Sequence, residues 1–549
     1  MVLGLRIAGL LVDVLERRIV PAELTVSEGV IVDRQPRDSS EVPPVYILPG
    51  FVDAHVHVES SLLPPPEFAR LAVAHGTVAT VSDPHEIANV LGIEGVRYML
   101  RTARMAPFVF WFGAPSCVPA TRFETAGAEL TVEAIRTLFE EGVPYLSEMM
   151  NFPGVLARDP EVMAKLELAR VYGRPIDGHA PGLRGEEARR YAAAGITTDH
   201  ECFSLEEALD KVAAGMKILI REGSAARNFD TLHPLLRLHP EQCMFCTDDL
   251  HPDSLVVGHI NRLVQRAVEA GYDLFDVLRA ACLHPVRHYG IPLGLLRQGD
   301  PADFIVVENL REFPVLATYI RGQCVAQEGR SYLPHYEVEA VNCFARRLLR
   351  ESDFRVPECG EYVWVIEAYD GQLVTGKARF PAPVRDGELV AVPEQDLLKL
   401  VVVNRYMVAP PAIAFVRGFG LRRGAIASSV AHDSHNVIAV GASDAELCRA
   451  VSAIMQCEGG LAVAEDERVE VLPLPIAGLM SPEDGYTVAR KYAMLDASAK
   501  GLGSPLRAPF MTLSFMALLV IPTLKLSDRG LFDGESFCFT ELCIGGDGA

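Results

Sequence analysis

The chain has 549 residues, 49% of them apolar and 22% charged, with a formal net charge of −21. That length implies roughly two to four domains, and the composition excludes a disordered or fibrous protein. The acidic balance argues against nucleic acid and anionic membranes as partners, because phosphates are held by clustered Lys and Arg.

Residues 1–50 read as short strands with turns, as in "ELTVSEGVIVD" and "VYILPG", where β-branched residues alternate with polar ones. From residue 51 short apolar runs alternate with helical stretches. The runs are "GFVDAHVHV", "TVATVSD", "FVFWFGA", "VPYLSE", "RPIDGH", "GITTDH", "MKILIREGS" and "CMFCTDD". Between them lie amphipathic stretches such as "PEFARLAVAHG", "TVEAIRTLFEEG", "RGEEARRYAAAG" and "SLEEALDKVAAG", each closed by Gly, a common helix terminator. Eight strands with intervening helices predict an α/β fold with a (β/α)₈ barrel over 51–289; the competing arrangement is an open doubly wound sheet. After 290, "PLGLLRQGDPADFIVVENL" returns to strands. Residues 1–50 and 290–344 are therefore expected to form one small composite β-sandwich domain into which the barrel is inserted. Residues 345–549 form a third, mixed α/β block.

Twelve irregularly spaced cysteines, with no secretory signal ahead of them, predict reduced thiols and a cytoplasmic protein. "CMFC" (Cys243 to Cys246) has zinc-knuckle spacing but lacks a second pair and sits in an apolar run, so it reads as strand. "FMTLSFMALLVIP" (Phe510 to Pro522) is too short for a bilayer, which takes about 20 residues, and reads as core.

Polar residues that bind metals fall at the strand ends. In "DAHVHVESS" the alternation of strand side chains points His55 and His57 to one face, with Asp53 behind them. The second strand ends in Asp83, His85 and Glu86; the fourth in Glu148; the fifth in His179; the sixth in His200 and Glu201; the eighth in Asp248 and Asp249. In a (β/α)₈ barrel these ends meet at one mouth. Four imidazoles (His55, His57, His179, His200) and two carboxylates (Glu148, Asp248) suit a pair of divalent ions such as zinc, iron or manganese. Such a pair would hold a hydroxide that is nucleophilic near neutral pH.

The segments "PGFVDAHVHVESS", "DPHEIANVLG", "DGHAPGL", "TTDHEC" and "CTDDLHPDSLVVGHINRLV" resemble the amidohydrolase superfamily and, within it, the bacterial adenine deaminase family. The resemblance extends into the last third, through "GFGLRRGAIASSVAHDSHNVIAVG" and "MSPEDGYTVARKY". It implies that His55 and His57 hold one ion with Asp248, that His179 and His200 hold the other, and that Glu148 bridges them where many superfamily members use a carboxylated lysine. It also implies hydrolytic deamination of adenine to hypoxanthine, two divalent ions per subunit, a homo-oligomer (dimer or tetramer) and a role in purine salvage or catabolism.

That reaction requires a nucleophile at C6, a proton for N1 and a proton for the departing amine. Asp248 is expected to move the proton between water and leaving group. Glu86 and Glu59 are both candidates for N1, although Glu86 also suits the first turn of a helix. Asp53 and Asp249 are expected to orient ligands. His85 could contact substrate, bind a further ion or cap the next helix. Arg221 and Ser224, at the end of strand seven, could line a purine pocket. His432, Asp433 and His435 of "AHDSHN" either close over the barrel mouth or form a surface loop. A cyclic-amidase reaction on the same barrel and a non-catalytic scaffold are the rival readings.

Overall fold

The computed structural model describes residues 4–545. The N-terminal strands Leu5–Asp13, Arg18–Ser27, Val30–Pro36 and Tyr46–Pro49 join Phe304–Val307, Val315–Ile320, Gln323–Gln327 and Arg330–Ser331 in one eight-stranded sheet. The two halves meet where Tyr46–Pro49 pairs antiparallel with Phe304–Val307 and parallel with Leu5–Asp13. The sheet curls on itself: Ile31 N–H donates to Asp300 O, and Ala22, Leu24, Val26 and Ile31 share a core with Phe304, Val306 and Ala317. Alternation of buried Ala22, Leu24 and Val26 with more exposed neighbours gives these strands one core face and one wet face.

The barrel strands are Phe51–Val56, Thr77–Ser82, Val109–Phe112, Leu146–Met149, Ile176–Gly178, Thr198–Asp199, Lys217–Arg221 and Cys243–Cys246. They pair in parallel through one to three, four to five and six to eight. The Ala114–Leu146 bridge joins three to four, Thr197 N–H to Ile176 O joins five to six, and the Val56–Asp248 bridge closes eight on one. This closed ring replaces the open doubly wound alternative. The first two strands are buried along their whole length, as parallel strands covered on both faces must be. Helices start on side-chain caps, with Thr131 accepting from Ala134 N–H and Ser204 from Glu207 N–H, each satisfying an otherwise orphaned donor. Cys243 and Cys246 are fully buried in the eighth strand.

The C-terminal block is built on a nine-stranded sheet that includes Tyr362–Glu367, Leu398–Val403, Ala412–Arg417, Ala425–Ser428 and Val437–Gly441. Helix Asp444–Cys457 packs Leu447, Ala450, Val451 and Ile454 on one face, against Val401, Val403, Ala427 and Ala439. The opposite face shares a core with the barrel: Leu400, Val402, Ile426 and Ile438 belong to the same apolar cluster as Val56, Val81 and Phe112. "FMTLSFMALLVIP" is buried, as expected, but it forms helix Pro509–Ser514 and a 3₁₀ turn, Phe515–Ala517, over the barrel mouth. Among the described residues no helix is long and apolar enough to cross a membrane.

The expectation of uniformly reduced thiols is corrected, because Cys359 and Cys543 form a disulfide. The cause is local pairing. Strand Cys543–Ile544 lies antiparallel on Tyr362–Glu367 and brings the two Cα atoms to 5.8 Å, inside the range a disulfide spans. The sequence separation of 184 residues hides that proximity from spacing arguments.

Gly50 is the hinge between the small β domain and the first barrel strand. A Cβ there would meet both methyls of Val78, which is fully buried. Gly50→Ala is expected to destabilise the protein by about 1–3 kcal/mol through overpacking, read as a lowered thermal midpoint. An unchanged midpoint would show that Val78 has room to turn aside.

Candidate metal centre

Strand ends set the site. His55 lies in the first strand and His57 just past it, and their Nε2 atoms face each other at 3.2 Å. Glu148 ends the fourth strand and divides its carboxylate between two histidine pairs. Its Oε1 lies 3.2 Å from His57 Nε2 and 3.8 Å from His55 Nε2; its Oε2 lies 2.7 Å from His179 Nδ1 and 3.3 Å from His200 Nε2. Asp248 sits after the eighth strand in a left-handed conformation (φ 58°), a region Asp tolerates better than most residues. Its N–H donates to His55 O and its carbonyl accepts from His57 N–H, so the backbone itself fixes its carboxylate 3.1 Å from His57 Nε2.

Hydrogen bonding positions these rings. His57 Nδ1 pairs with Asp83 O at 3.0 Å, leaving Nε2 for the cavity. Tyr191 accepts from His179 N–H and donates to Met149 O. Asp53 accepts from the N–H groups of His55 and Thr247 and pairs with His259 at 2.9 Å. It thereby locks strand one to strand eight beneath the site.

Burial opposes ionisation of Glu148, yet the charge of His179 and hydrogen bonds from His179, His200 and His57 hold its carboxyl well below the usual range. Burial likewise opposes ionisation of Asp248, and the Arg221 guanidinium, with His55 and His57, overrides it. Arg221 bonds both Glu201 and Asp248. Glu201 lines the cavity 3.7 Å from His179 and 3.5 Å from His200. The donor chemistry fits cations. His55, His57 and Glu148 form one group with ligand atoms within 4.8 Å of one another, and Glu148, His179 and His200 form another. The set of imidazole nitrogens and carboxylate oxygens suits borderline divalent ions. His85 and Asp249 belong to adjoining groups of the same kind.

The remaining sequence candidates divide. Asp249 faces the cavity with Asp248, because the strand has already ended at Cys246; Ser60 Oγ donates to it at 2.5 Å. His85 begins helix His85–Leu91 and also lines the cavity, 3.1 Å from Asp83 Oδ2. Glu86 occupies that helix's first turn and faces the cavity; it pairs with His432 Nδ1 at 2.7 Å and with His435. Burial works against its charge, and His432, His435 and His85 nonetheless hold Glu86 well below its ordinary value. Glu59 is not among the cavity-lining residues. It accepts from Ile87 N–H, and burial raises it to about 7. Ser224 is likewise outside, turned to accept from His251 N–H. Arg221 borders a neighbouring cleft and reaches the centre through Asp248. His432 and Asp433 are buried cavity residues, so "AHDSHN" closes over the mouth and is not a surface loop.

Sequence reasoning did not assign a role to Glu201 and missed the apolar roof of Leu373, Phe515 and Leu518. Phe515 stacks on His432 with ring centroids 4.4 Å apart and planes 10° apart. Glu201 was visible beside His200 at a strand end. The roof gave no signal, because its residues lie in runs that read as ordinary core.

Residues 46–325 match the amidohydrolase family and residues 372–538 match the adenine deaminase C-terminal domain. A protein named adenine deaminase from Salinibacter ruber is 59% identical over 98% of this chain and 99% of its own length. Another from a Sulfurovum species is 55% identical over 97% and 98%. Among solved structures, an enamidase of the amidohydrolase superfamily aligns with a TM-score of 0.44 at 16% identity, over 59% of this chain and 97% of that one. With relatives this similar over nearly the whole length, and both domain models matched in order, the chain belongs to the adenine deaminase family of amidohydrolases.

Proposed function

We infer that this chain catalyses adenine + water → hypoxanthine + ammonia. The observation that carries the reading is Glu148, which stands at the end of strand four and shares its two oxygens between the His55/His57 and His179/His200 pairs. The 59% and 55% identical relatives named adenine deaminase support the choice of substrate.

In this reading His55, His57 and Asp248 would hold one divalent ion and His179 and His200 a second, with Glu148 shared between them; manganese, iron and zinc all suit the donors. Bound there, the ions would supply Lewis acidity and water that ionises near neutral pH. Asp248 keeps one oxygen beside His57 while Arg221 anchors the other, so it is placed to take the proton from attacking water and return it to the departing amine. Glu86 pairs with His432 Nδ1 at 2.7 Å at the cavity wall, and the pair is placed to serve N1. Glu59 is not in the cavity lining and instead braces the helix that carries Glu86. Leu373, Phe515 and Leu518 exclude bulk water from the reacting ring. The product, hypoxanthine, is a neutral lactam and leaves together with ammonia. A cytoplasmic homo-oligomer, dimer or tetramer, belongs to the same reading.

Ultraviolet loss of adenine, with and without added manganese, tests substrate and metal dependence together. Turnover of adenine and none of hydantoin or dihydropyrimidine is expected, with about two ions per chain. The reverse preference would favour the cyclic-amidase reading, and well under one ion with no activity would favour a scaffold. Glu148→Gln should bind fewer than two ions and lose about 10²-fold or more in kcat.

Arg221→Met tests the anchoring of Asp248 separately. It removes the partner that fixes the carboxylate without touching a proposed ligand. A fall of about 10–100-fold in metal affinity or kcat is expected; wild-type values for both would show that the His55 and His57 contacts hold Asp248 unaided.

A further inference from the structure

The cavity beside the histidine cluster is small, about 20 Å³, and a void of that measure holds about one water molecule. A purine enters only if its roof shifts, so the groups that fix the roof govern the fit of the substrate. Leu373 belongs to a loop after strand Tyr362–Glu367, and Phe515 and Leu518 to the turn after helix Pro509–Ser514. Leu373 also borders an outer cleft of about 600 Å³ lined by Arg221, Asn228 and Arg507, so it stands between that cleft and the inner cavity.

Both roof segments converge on one side chain. Lys525, in strand Leu524–Ser527, is fully buried, and its Nζ donates to Leu373 O at 2.7 Å and to Phe515 O at 2.9 Å. The Leu373 loop is stitched to the same strand: Thr375 Oγ1 donates to Leu524 O at 2.8 Å, and Thr375 N–H to Pro522 O at 3.0 Å. On the other side His432 N–H donates to Ser514 O at 3.0 Å, beside the ring stack of Phe515 on His432.

We propose that Lys525 is a positioning residue for the substrate cavity: by binding the carbonyls of Leu373 and Phe515 together it sets the height of the apolar roof over the purine. A lysine buried for packing alone would be costly, because a buried donor without partners loses its hydration. Here both partners are backbone carbonyls of cavity-lining residues, and no carboxylate pairs with the amine among the described residues. Burial lowers the amine to about 7. A neutral amine still carries two N–H groups, one for each carbonyl.

The inference rests on the adenine reading, and the wild-type enzyme is the control that separates the two. Lys525→Met keeps the length and removes both donors; Lys525→Gln keeps an amide donor. Steady-state adenine deamination is measured on each variant loaded with manganese, alongside metal content. KM is expected to rise about tenfold in Lys525→Met, with kcat within about threefold, and by less in Lys525→Gln. Metal content stays at the wild-type level. An unchanged KM, or a loss confined to kcat, overturns the role of Lys525. Should Lys525→Met not accumulate as folded protein, Lys525→Gln decides by the same criterion. Failure of the wild type to deaminate adenine would overturn the substrate reading instead.

Discussion

Buried negative charge is the constraint on which the rest of this structure depends. The cavity is lined by six carboxylates, Glu86, Glu148, Glu201, Asp248, Asp249 and Asp433, with no lysine or arginine in the lining. Isolated buried carboxylates would simply protonate. Glu148 and Asp248 are instead held ionised, by imidazoles and by Arg221 from outside the wall. An array of this kind is stable when cations complete it, and the histidine nitrogens converge on the same oxygens. The barrel supplies the precision: Asp248 is fixed by backbone bonds to strand one, and Asp53 ties strands one and eight below it.

The C-terminal block completes the cavity. Glu86 comes from the barrel, but two of the imidazoles that hold its charge, His432 and His435, come from the loop between strands Ala425–Ser428 and Val437–Gly441 of the C-terminal sheet. The ion pair therefore works as a docking contact and as part of the cavity wall at once. Removing the block would strip Glu86 of both of these partners and leave it only His85, 3.4 Å away. The apolar core likewise runs unbroken from barrel strand to C-terminal sheet.

Much of this was legible in the sequence, for a physical reason. Strand alternation and barrel closure are local rules applied eight times, so residues at strand ends are brought together whatever the loops do. His55, His57, Glu148, His179, His200 and Asp248 all follow from that logic. Strands from the two segments that flank the barrel in sequence sit in one eight-stranded sheet. What escaped the sequence depends on contacts between distant segments. The seventh strand ends at Arg221, and Ser224 lies in the loop after it, with its hydroxyl turned to the backbone of His251. Cys359 and Cys543 look unrelated until two strands pair. Phe515 looks like core because it is core, with one face left over for the cavity.

The floor and the roof of the cavity also differ in how their backbones are held. The histidine cluster is pinned by parallel strands, by Asp53 and by backbone bonds through Asp248, so enlarging the cavity from below would break the barrel ladder. The roof is a 3₁₀ turn, Phe515–Ala517, after a helix of six residues, together with a loop between two strands. Segments with few regular backbone bonds open at lower free energy than core strands. The barrel therefore carries the proposed metal ligands, and the C-terminal block carries the apolar roof together with His432 and Asp433. Leu373 belongs to both the roof and the larger outer cleft.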